Sequence, residues 1–278
     1  MLKNTFCHIP GIGHEKERKI WKSGVLTWND YFSRAGSVSV PLPHRSIAKY
    51  LKKSEEALLS EDASFFADCL PEKDLWRIYP EFFQRALFLD IETTGLTLGA
   101  DHITIIGTYD GKQMKTFVKG KNLADFPNEL SKYSIVVTYN GKCFDIPFIK
   151  RAFKKLELPP AHIDLRWFLQ SLGISGGLKR IERRIGIRRE KGLQDINGLI
   201  ATYLWKEHRQ GTKSALKTLT RYNLEDVVSL KCIIEKAYNM AIRRLPVRHK
   251  TISVSTKPLI EIPYDRQLID HLVKETVL

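Results

Sequence analysis

The stretch that decides the fold reads Phe88-Leu89-Asp90-Ile91-Glu92-Thr93-Thr94-Gly95. Side chains alternate along a β-strand, so Asp90 and Glu92 share one face and the apolar residues beside them point into the core. Adjacent carboxylates repel each other unless a positive charge lies between them, and hard oxygen ligands suit Mg²⁺ or Mn²⁺. Acid pairs at solvated strand ends are also common without a metal. The pair alone leaves both interpretations open.

A third carboxylate, Asp145, follows a short apolar strand predicted over 135–139. A glycine loop separates the two, and Pro147 lies in a first helical turn, where its missing N–H group is harmless. Asp145 is therefore at a helix start, where aspartate is also a good N-cap. Asn140, in the loop, is equally typical of a turn. Neither residue by itself distinguishes a functional role from a structural one.

A fourth carboxylate, Asp226, lies within a helical pattern predicted over 214–238. Tyr222 precedes it by four residues, so both side chains lie on one face of the helix. A tyrosine on a helix is more often a core aromatic residue with a hydrogen-bonded hydroxyl group. The pair is therefore either a packing feature or the second half of a site.

Taken in chain order, these segments closely resemble the DnaQ-like 3′–5′ exonucleases of the ribonuclease H-like superfamily, in the branch called DEDDy. In that branch the four acids are Asp, Glu, Asp and Asp, and a tyrosine lies four residues before the last. The sister branch carries a histidine five residues before the last acid, where this sequence has Arg221. The residues of the three motifs are most similar to those of the YprB-like predicted exonucleases, which resemble the proofreading domains of family B DNA polymerases.

The resemblance implies an α/β fold, with a ribonuclease H-like mixed β-sheet flanked by helices and a mainly helical N-terminal extension. It also implies two Mg²⁺ or Mn²⁺ ions at the site, with a tyrosine hydroxyl that orients the attacking water. Thr93 and Asn140 would contact the nucleic-acid strand. The residues implied to be catalytic are Asp90, Glu92, Asp145, Tyr222 and Asp226, and the four acids among them are the implied metal ligands.

The order of the predicted elements also favours an α/β architecture. Predicted strands over 103–109 and 114–118 flank Asp110-Gly111-Lys112, a strong hairpin signal. We expect a helical N-terminal segment over 1–80, an exonuclease domain over 84–240 and a C-terminal tail over 246–278. Residues 9–30 resemble a helix-hairpin-helix motif, whose glycine turn either approaches a phosphate or only joins two packed helices.

The chain is strongly basic, with 45 Lys and Arg against 31 Asp and Glu among 278 residues, a formal net charge of +14. Such an excess attracts polyanions, of which nucleic acid is the common one. The densest basic run, 179–191, begins with Lys179, Arg180 and, three residues further on, Arg183. We expect these three side chains to contact phosphates, and a solvated helix face is the alternative.

Composition argues against several other classes of protein. No stretch of 18 apolar residues suggests a membrane span, and the N-terminus has no apolar core of signal-peptide length, so we expect a cytoplasmic protein without membrane contact. The 4 cysteines are scattered without a Cys-x-x-Cys pair, which gives a zinc or iron–sulfur site little support. Asp164, between the second and third acidic segments, is expected to be a helix cap or a supporting residue.

Together these features predict a metal-dependent 3′–5′ exonuclease that hydrolyses single-stranded nucleic-acid ends by a two-metal mechanism, with DNA slightly preferred. An exoribonuclease that trims RNA 3′ ends is one alternative. A non-catalytic nucleic-acid-binding module on the same fold is another. The enzymatic interpretation expects the acidic side chains to gather around a shared pair of cations. It would fail if Asp226 lay far from Asp90, or if a cationic side chain blocked the pocket.

Overall fold

A computed structural model describes residues 1–34 and 43–277 of the chain. Parts of two predicted units, residues 35–42 of the N-terminal segment and residue 278 of the tail, lie outside the described residues. A five-stranded mixed sheet forms the centre, in the order β3-β2-β1-β4-β5. The strands are β1 (Ala86–Thr93), β2 (Ile103–Tyr109), β3 (Met114–Val118), β4 (Ile135–Thr138) and β5 (Ala161–Asp164).

Helices surround this sheet and also form most of the N-terminal segment. The α/β fold class, with its mixed sheet and helical N-terminal region, is confirmed. The helices are α1 (His14–Lys22), α2 (Trp28–Ser33), α3 (His44–Leu59), α4 (Ala63–Cys69), α5 (Tyr79–Phe82), α6 (Phe126–Leu130), α7 (Asp145–Ala152), α8 (Leu165–Ser171), α9 (Leu178–Arg184), α10 (Gly198–Arg209), α11 (Ala215–Ile242) and α12 (Arg266–Val277).

The direction of the strands follows from their connections. β1 pairs antiparallel with β2, and β2 pairs antiparallel with β3, through the predicted hairpin. In its turn, Asp110 Oδ1 accepts hydrogen bonds from the N–H groups of Lys112 and Gln113, both at 2.7 Å, and Gly111 has a φ of +93°. β1 pairs parallel with β4, and β4 with β5, across helical connections. The hairpin prediction is therefore confirmed.

The two faces of β1 explain how the sheet positions an acidic pair. Leu87, Leu89 and Ile91 belong to one apolar cluster, together with Phe126 of α6 and Phe148 of α7. The opposite face is covered by the long helix α11, which packs along β1, β2 and β3. Because side chains alternate, Asp90 faces α11, and the apolar pattern of the strand thus directs this acid toward the longest helix.

The N-terminal segment is joined to the chain just before the sheet by a buried ion pair. Glu17 of α1, only 1% exposed, accepts hydrogen bonds from the N–H groups of Phe6 and Cys7 at 2.7 and 3.0 Å. The same carboxylate receives Arg77 Nη1 at 2.9 Å. The buried core runs on without interruption from this segment to β1 and α11. The predicted unit boundaries and the helix-hairpin-helix motif at 9–30 stay predictions.

The tail lies against α11. Arg221 Nη1 donates to the carbonyl oxygens of Ile260 and Ile262, and Lys257 Nζ lies 2.6 Å from Glu225 Oε1.

In the described residues, no helix has the length and apolar character that crossing a membrane requires.

A partly buried histidine gives the fold a specific pH dependence. Burial lowers the pKa of His162 on β5 to about 4, and its Nε2 lies 2.9 Å from the Thr138 hydroxyl oxygen. The neutral ring therefore contributes stability above the unfolded pKa near 6.5, and this contribution is lost as the pH falls toward 4. Relative to His162→Gln, we expect the wild-type free energy of unfolding to fall by about 2 kcal/mol between pH 7 and pH 5.

Urea unfolding of both proteins at each pH measures this difference. The two proteins share every other titrating group, so those groups cancel in the comparison. A wild-type advantage that did not change with pH would contradict a neutral, partly buried His162.

Candidate active site

Carboxylates from two distant parts of the chain meet where β1 faces α11. One oxygen from each of Asp90, Glu92 and Asp226 lies within 4.8 Å of the other two. The strand supplies the first two residues, and the helix supplies the third, 134 positions after Glu92 in the sequence. The structure therefore brings three of the four predicted acids into one cluster.

The close approach of α11 to the sheet depends on a glycine. Gly107 of β2 lies opposite Asp90, and a Cβ atom there would be 1.9 Å from Asn223 Oδ1. Asn223 uses the space to reach β1, where its Nδ2 donates to Asp90 Oδ2 at 2.9 Å. Sequence reasoning missed Asn223, although its place beside Tyr222, three residues before Asp226, puts it at the same helix–sheet contact.

The fourth acid lies at the start of α7. Asp145 Oδ1 accepts a hydrogen bond of 3.1 Å from the N–H group of Ile91, between the two acids of β1. The N-cap of α7 is Phe144, so Asp145 is inside the helix and its side chain points to the strand. Of the two interpretations that the sequence left open, the structure does not support the N-cap.

The cluster carries more negative charge than its surroundings compensate. Burial raises the pKa of Asp90 well above its ordinary value, and the nearby carboxylates of Asp145 and Asp226 raise it further. Burial likewise raises the pKa of Glu92, and it raises the pKa of Asp145 to about 7. Each shift reflects the difficulty of holding several anions together away from water. An additional positive charge would relieve that repulsion.

One cation already lies at the cluster. Arg189, from the loop after α9, donates from Nη2 to Asp226 Oδ1. Its Nε and Nη2 also donate to Glu182 of α9, at 2.9 and 3.0 Å. Sequence reasoning missed the pairing of Arg189 with Glu182. The signal that could have indicated it was a glutamate, Glu182, within a run of basic residues. The pocket was expected to be open, and the structure instead places a guanidinium at Asp226, although Asp90 and Glu92 have no ion pair with it. A metal at Asp226 would compete with this guanidinium.

Tyr222 lies at the same place, with two cations near its ring. Its side chain is 7% exposed and packs in a cluster with Ile105 and Leu219. Lys179 Nζ is 5.3 Å and Arg189 Cζ 5.9 Å from the ring centroid. Burial and the nearby carboxylates raise the pKa of the hydroxyl group well above its ordinary value. The phenol is therefore neutral at neutral pH.

The predicted phosphate-contacting residues differ in where the structure places them. Lys179 Nζ donates to the carbonyl oxygens of Gln194, at 2.9 Å, and Ile196, which holds it beside Tyr222. Arg180 and Arg183 are exposed on α9. Only the lysine is thus brought to the acidic cluster.

Thr93 and Asn140 lie at the ends of the two central strands. Thr93 Oγ1 donates to the Gly95 carbonyl oxygen at 2.5 Å. Asn140 has a φ of +65°, and its Oδ1 accepts from Arg166 Nη1 at 2.7 Å. Asp164 accepts from the Arg166 N–H group at 3.0 Å as the N-cap of α8, and the cap prediction for it is confirmed.

The donor set suits a hard divalent cation. Carboxylate oxygens are the ligands that Mg²⁺ and Mn²⁺ prefer, and three of them lie close enough to share one ion. Asp145 lies next to these three through its bond to β1. The residues present thus fit a divalent metal site, with Arg189 as a competitor for one ligand.

Comparisons with known proteins give the family and the fold. A model described as RNase_H superfamily matches residues 87–238, more than half of the chain. The Bacillus subtilis (strain 168) protein YprB is 28% identical over 251 residues, covering 82% of this chain and 58% of that relative. The chain thus spans less than two thirds of the length of this relative. The resemblance to ribonuclease H-like proteins is confirmed.

Solved structures of a nuclease, an EXO domain and a DNA polymerase are also similar, at low sequence identity. An apo nuclease matches with a TM-score of 0.43 and 16% identity, over 58% of this chain and 75% of its own. The Nibbler EXO domain of Aedes aegypti matches with a TM-score of 0.42 and 13% identity, over 72% of this chain and 92% of its own. The family B DNA polymerase of Pyrobaculum calidifontis matches with a TM-score of 0.41 and 18% identity, over 55% of this chain and 25% of its own.

Proposed function

The chain belongs to the RNase H superfamily, and from this premise we propose that it is a metal-dependent 3′–5′ exonuclease acting on single-stranded nucleic acid. The observation that carries the proposal is the convergence of Asp90, Glu92 and Asp226 within 4.8 Å. Asp145 joins them through its bond to the Ile91 N–H group. Four acids from three separate segments are more than packing requires, since burying like charges together opposes folding.

In this proposal the four acids hold two divalent ions, Mg²⁺ or Mn²⁺. Bound ions of this kind lower the pKa of a water molecule and stabilise the charge on the leaving 3′-oxygen. Asn223 holds the Asp90 carboxylate in place with its amide group. Tyr222, whose phenol stays neutral, orients the water through its hydroxyl group. Thr93, Asn140 and the basic residues of α9 are proposed to contact the nucleic acid.

The Arg189–Asp226 contact supports a second candidate, a nucleic-acid-binding module without catalysis. A guanidinium that permanently neutralised Asp226 would deny the site one of its ligands. Against this, Arg189 meets only one of the clustered acids in a direct ion pair, and Asp90 bonds to an uncharged amide instead. The repulsion among the remaining carboxylates favours a further cation and therefore the nuclease.

Digestion of labelled oligonucleotides tests the proposal. We expect the protein to shorten 5′-labelled single strands stepwise from the 3′ end in Mg²⁺ or Mn²⁺, releasing mononucleotides, and to stop in EDTA because the acids alone cannot activate water. Matched DNA and RNA strands measure the preference, which we propose is slightly toward DNA.

A circular single strand serves as the control, since it has no 3′ end for an exonuclease. Cleavage of the circle would indicate an endonuclease. Binding of both strands without any metal-dependent shortening would favour the non-catalytic module.

A further inference from the structure

We propose that Arg189 is a substrate-binding residue whose guanidinium donates to a phosphate oxygen of the nucleic acid at the acidic cluster, with Glu182 holding it there. The inference rests on the proposed function and adds a residue to it. Arg189 lies outside the three segments that carry the acids, and its side chain is only 4% exposed. A basic residue so deeply placed beside Asp226 is not part of a solvated surface run.

Glu182 fixes the guanidinium at the site independently of Asp226. Two parallel hydrogen bonds, from Nε and Nη2, join Arg189 to the Glu182 carboxylate at 2.9 and 3.0 Å. Glu182 is 1% exposed. Removing the partner of a buried carboxylate leaves an uncompensated buried charge, which is strongly destabilising. We therefore expect Arg189 to stay beside Glu182 whatever binds Asp226. The guanidinium is therefore held beside Glu182 even where its contact with Asp226 is lost.

The backbone around Arg189 is also held in place. The N–H group of Glu190 donates to Glu225 Oε1 at 3.0 Å, one residue before Asp226 on α11. Lys257 of the tail pairs with the same carboxylate at 2.6 Å. Arg189 is thus positioned by α9 through its side chain and by α11 through the next peptide. Such preorganisation is what a residue that aligns a substrate requires.

One nitrogen of the guanidinium has no partner within the described chain. Nη1 of Arg189 is buried and makes no hydrogen bond, whereas Nε and Nη2 are both used. Buried donors are almost always satisfied, so an unused one beside a reactive site indicates a ligand acceptor. Arginine presents its donors in a planar fork that matches phosphate oxygens. Phosphate is also the anion that a nuclease brings to its acids.

The same contact makes Arg189 a competitor for metal at Asp226. A divalent cation held by this carboxylate would take the place of Nη2, while the hydrogen bonds to Glu182 would remain. Nη1 of the guanidinium would then be the nitrogen that donates to the substrate. Loss of the arginine should therefore weaken nucleic-acid binding and, separately, strengthen metal binding.

The test measures binding without turnover. Fluorescence anisotropy of a labelled single-stranded DNA in Ca²⁺, across a salt series, compares the wild type with Arg189→Gln. We expect the dissociation constant to rise about 10-fold, and the slope of log affinity against log salt to fall by about 0.7, the value for one phosphate contact on a single strand. Arg243→Gln, an exposed arginine just after α11, is the matched control and should change neither quantity appreciably.

Arg189→Lys covers the case in which the glutamine variant does not fold. One ammonium group cannot serve Glu182 and a phosphate together in the geometry of a fork, so we expect about a 5-fold loss of affinity. Unchanged DNA affinity and salt slope in the folded variants, with only tighter Mn²⁺ binding by calorimetry, would overturn the proposal. A wild type that binds DNA but never hydrolyses it would instead refute the proposed function, so the two failures are distinguishable.

Discussion

Asp90→Asn is expected to lower phosphodiester hydrolysis by more than about 10³-fold while leaving the protein folded. Asp90 lies on β1, close to both Glu92 and Asp226. An amide there removes one negative ligand from the centre of the cluster, so it weakens the hold on every cation that the site binds. The loss should affect turnover far more than nucleic-acid binding, since the basic residues around the pocket are unchanged.

The fold should tolerate this substitution better than most changes at buried positions. Asparagine has the shape of aspartate, and its amide oxygen can accept the hydrogen bond from Asn223 Nδ2. Burial and neighbouring anions already raise the pKa of Asp90, which means that its charge opposes the folded state. We therefore expect a melting temperature equal to or above that of the wild type at pH 8. Asp226→Asn is less suitable, because it also removes the ion pair between Asp226 and Arg189.

Asp125→Asn provides the matched control, since this aspartate is exposed at the start of α6 on the far side of the sheet. Both variants are assayed with single-stranded DNA and RNA in Mn²⁺, and their melting is followed by circular dichroism. The control should hydrolyse at the wild-type rate. Near-normal hydrolysis by a folded Asp90→Asn protein would remove the acidic cluster from the proposed mechanism.

Local patterns in the sequence predicted the centre of the sheet and the longest helix. The hairpin had a predicted strand on each side of Asp110-Gly111, and β2 and β3 have the bounds predicted for them. The helix around Tyr222 was predicted over 214–238 and extends over Ala215–Ile242. These elements are long or have turn residues with specific backbone requirements, so short-range information suffices for them.

Other elements carried too little local signal. β5 has four residues, Ala161–Asp164, and its strand state depends on parallel pairing with β4 rather than on its own alternation. The six-residue helix α2 was likewise not predicted, although Thr27 and Asp30 form a capping box at its start. Short segments of this kind adopt their conformation from tertiary contacts, which override propensity.

The candidate site divides in the same way. The set of four acids was implied by the resemblance to a known family. Strand alternation by itself places Asp90 and Glu92 on one face, and helical spacing places Tyr222 with Asp226. The partners of those acids do not follow. Arg189 reaches Asp226 across 37 positions, and Asn223 reaches Asp90 across 133. Such contacts depend on how α11 crosses the sheet beside Gly107, and a single sequence does not contain that geometry.

Tyr222→Phe is expected to lower the rate of hydrolysis by about 10²-fold, a typical contribution of a group that positions a proton or a water molecule. The ring is buried in an apolar cluster, so phenylalanine keeps its packing and removes only the hydroxyl group. Burial holds the hydroxyl pKa far above neutrality, hence the group acts by donating or accepting a hydrogen bond. Because no charge is lost, the affinity for nucleic acid and for Mn²⁺ should remain at the wild-type level.

A second tyrosine allows a matched comparison. Tyr203 of α10 packs against the same apolar cluster, so Tyr203→Phe makes the same chemical change away from the acids. Single-turnover digestion of a 5′-labelled strand at saturating Mn²⁺ isolates the chemical step, and the control should be indistinguishable from the wild type. The pH profile gives a further readout. Loss of a hydroxyl group that positions water lowers the rate equally at all pH values, whereas loss of a catalytic base changes the shape of the profile. Equal rates for the two phenylalanine variants would leave Tyr222 with a packing role alone.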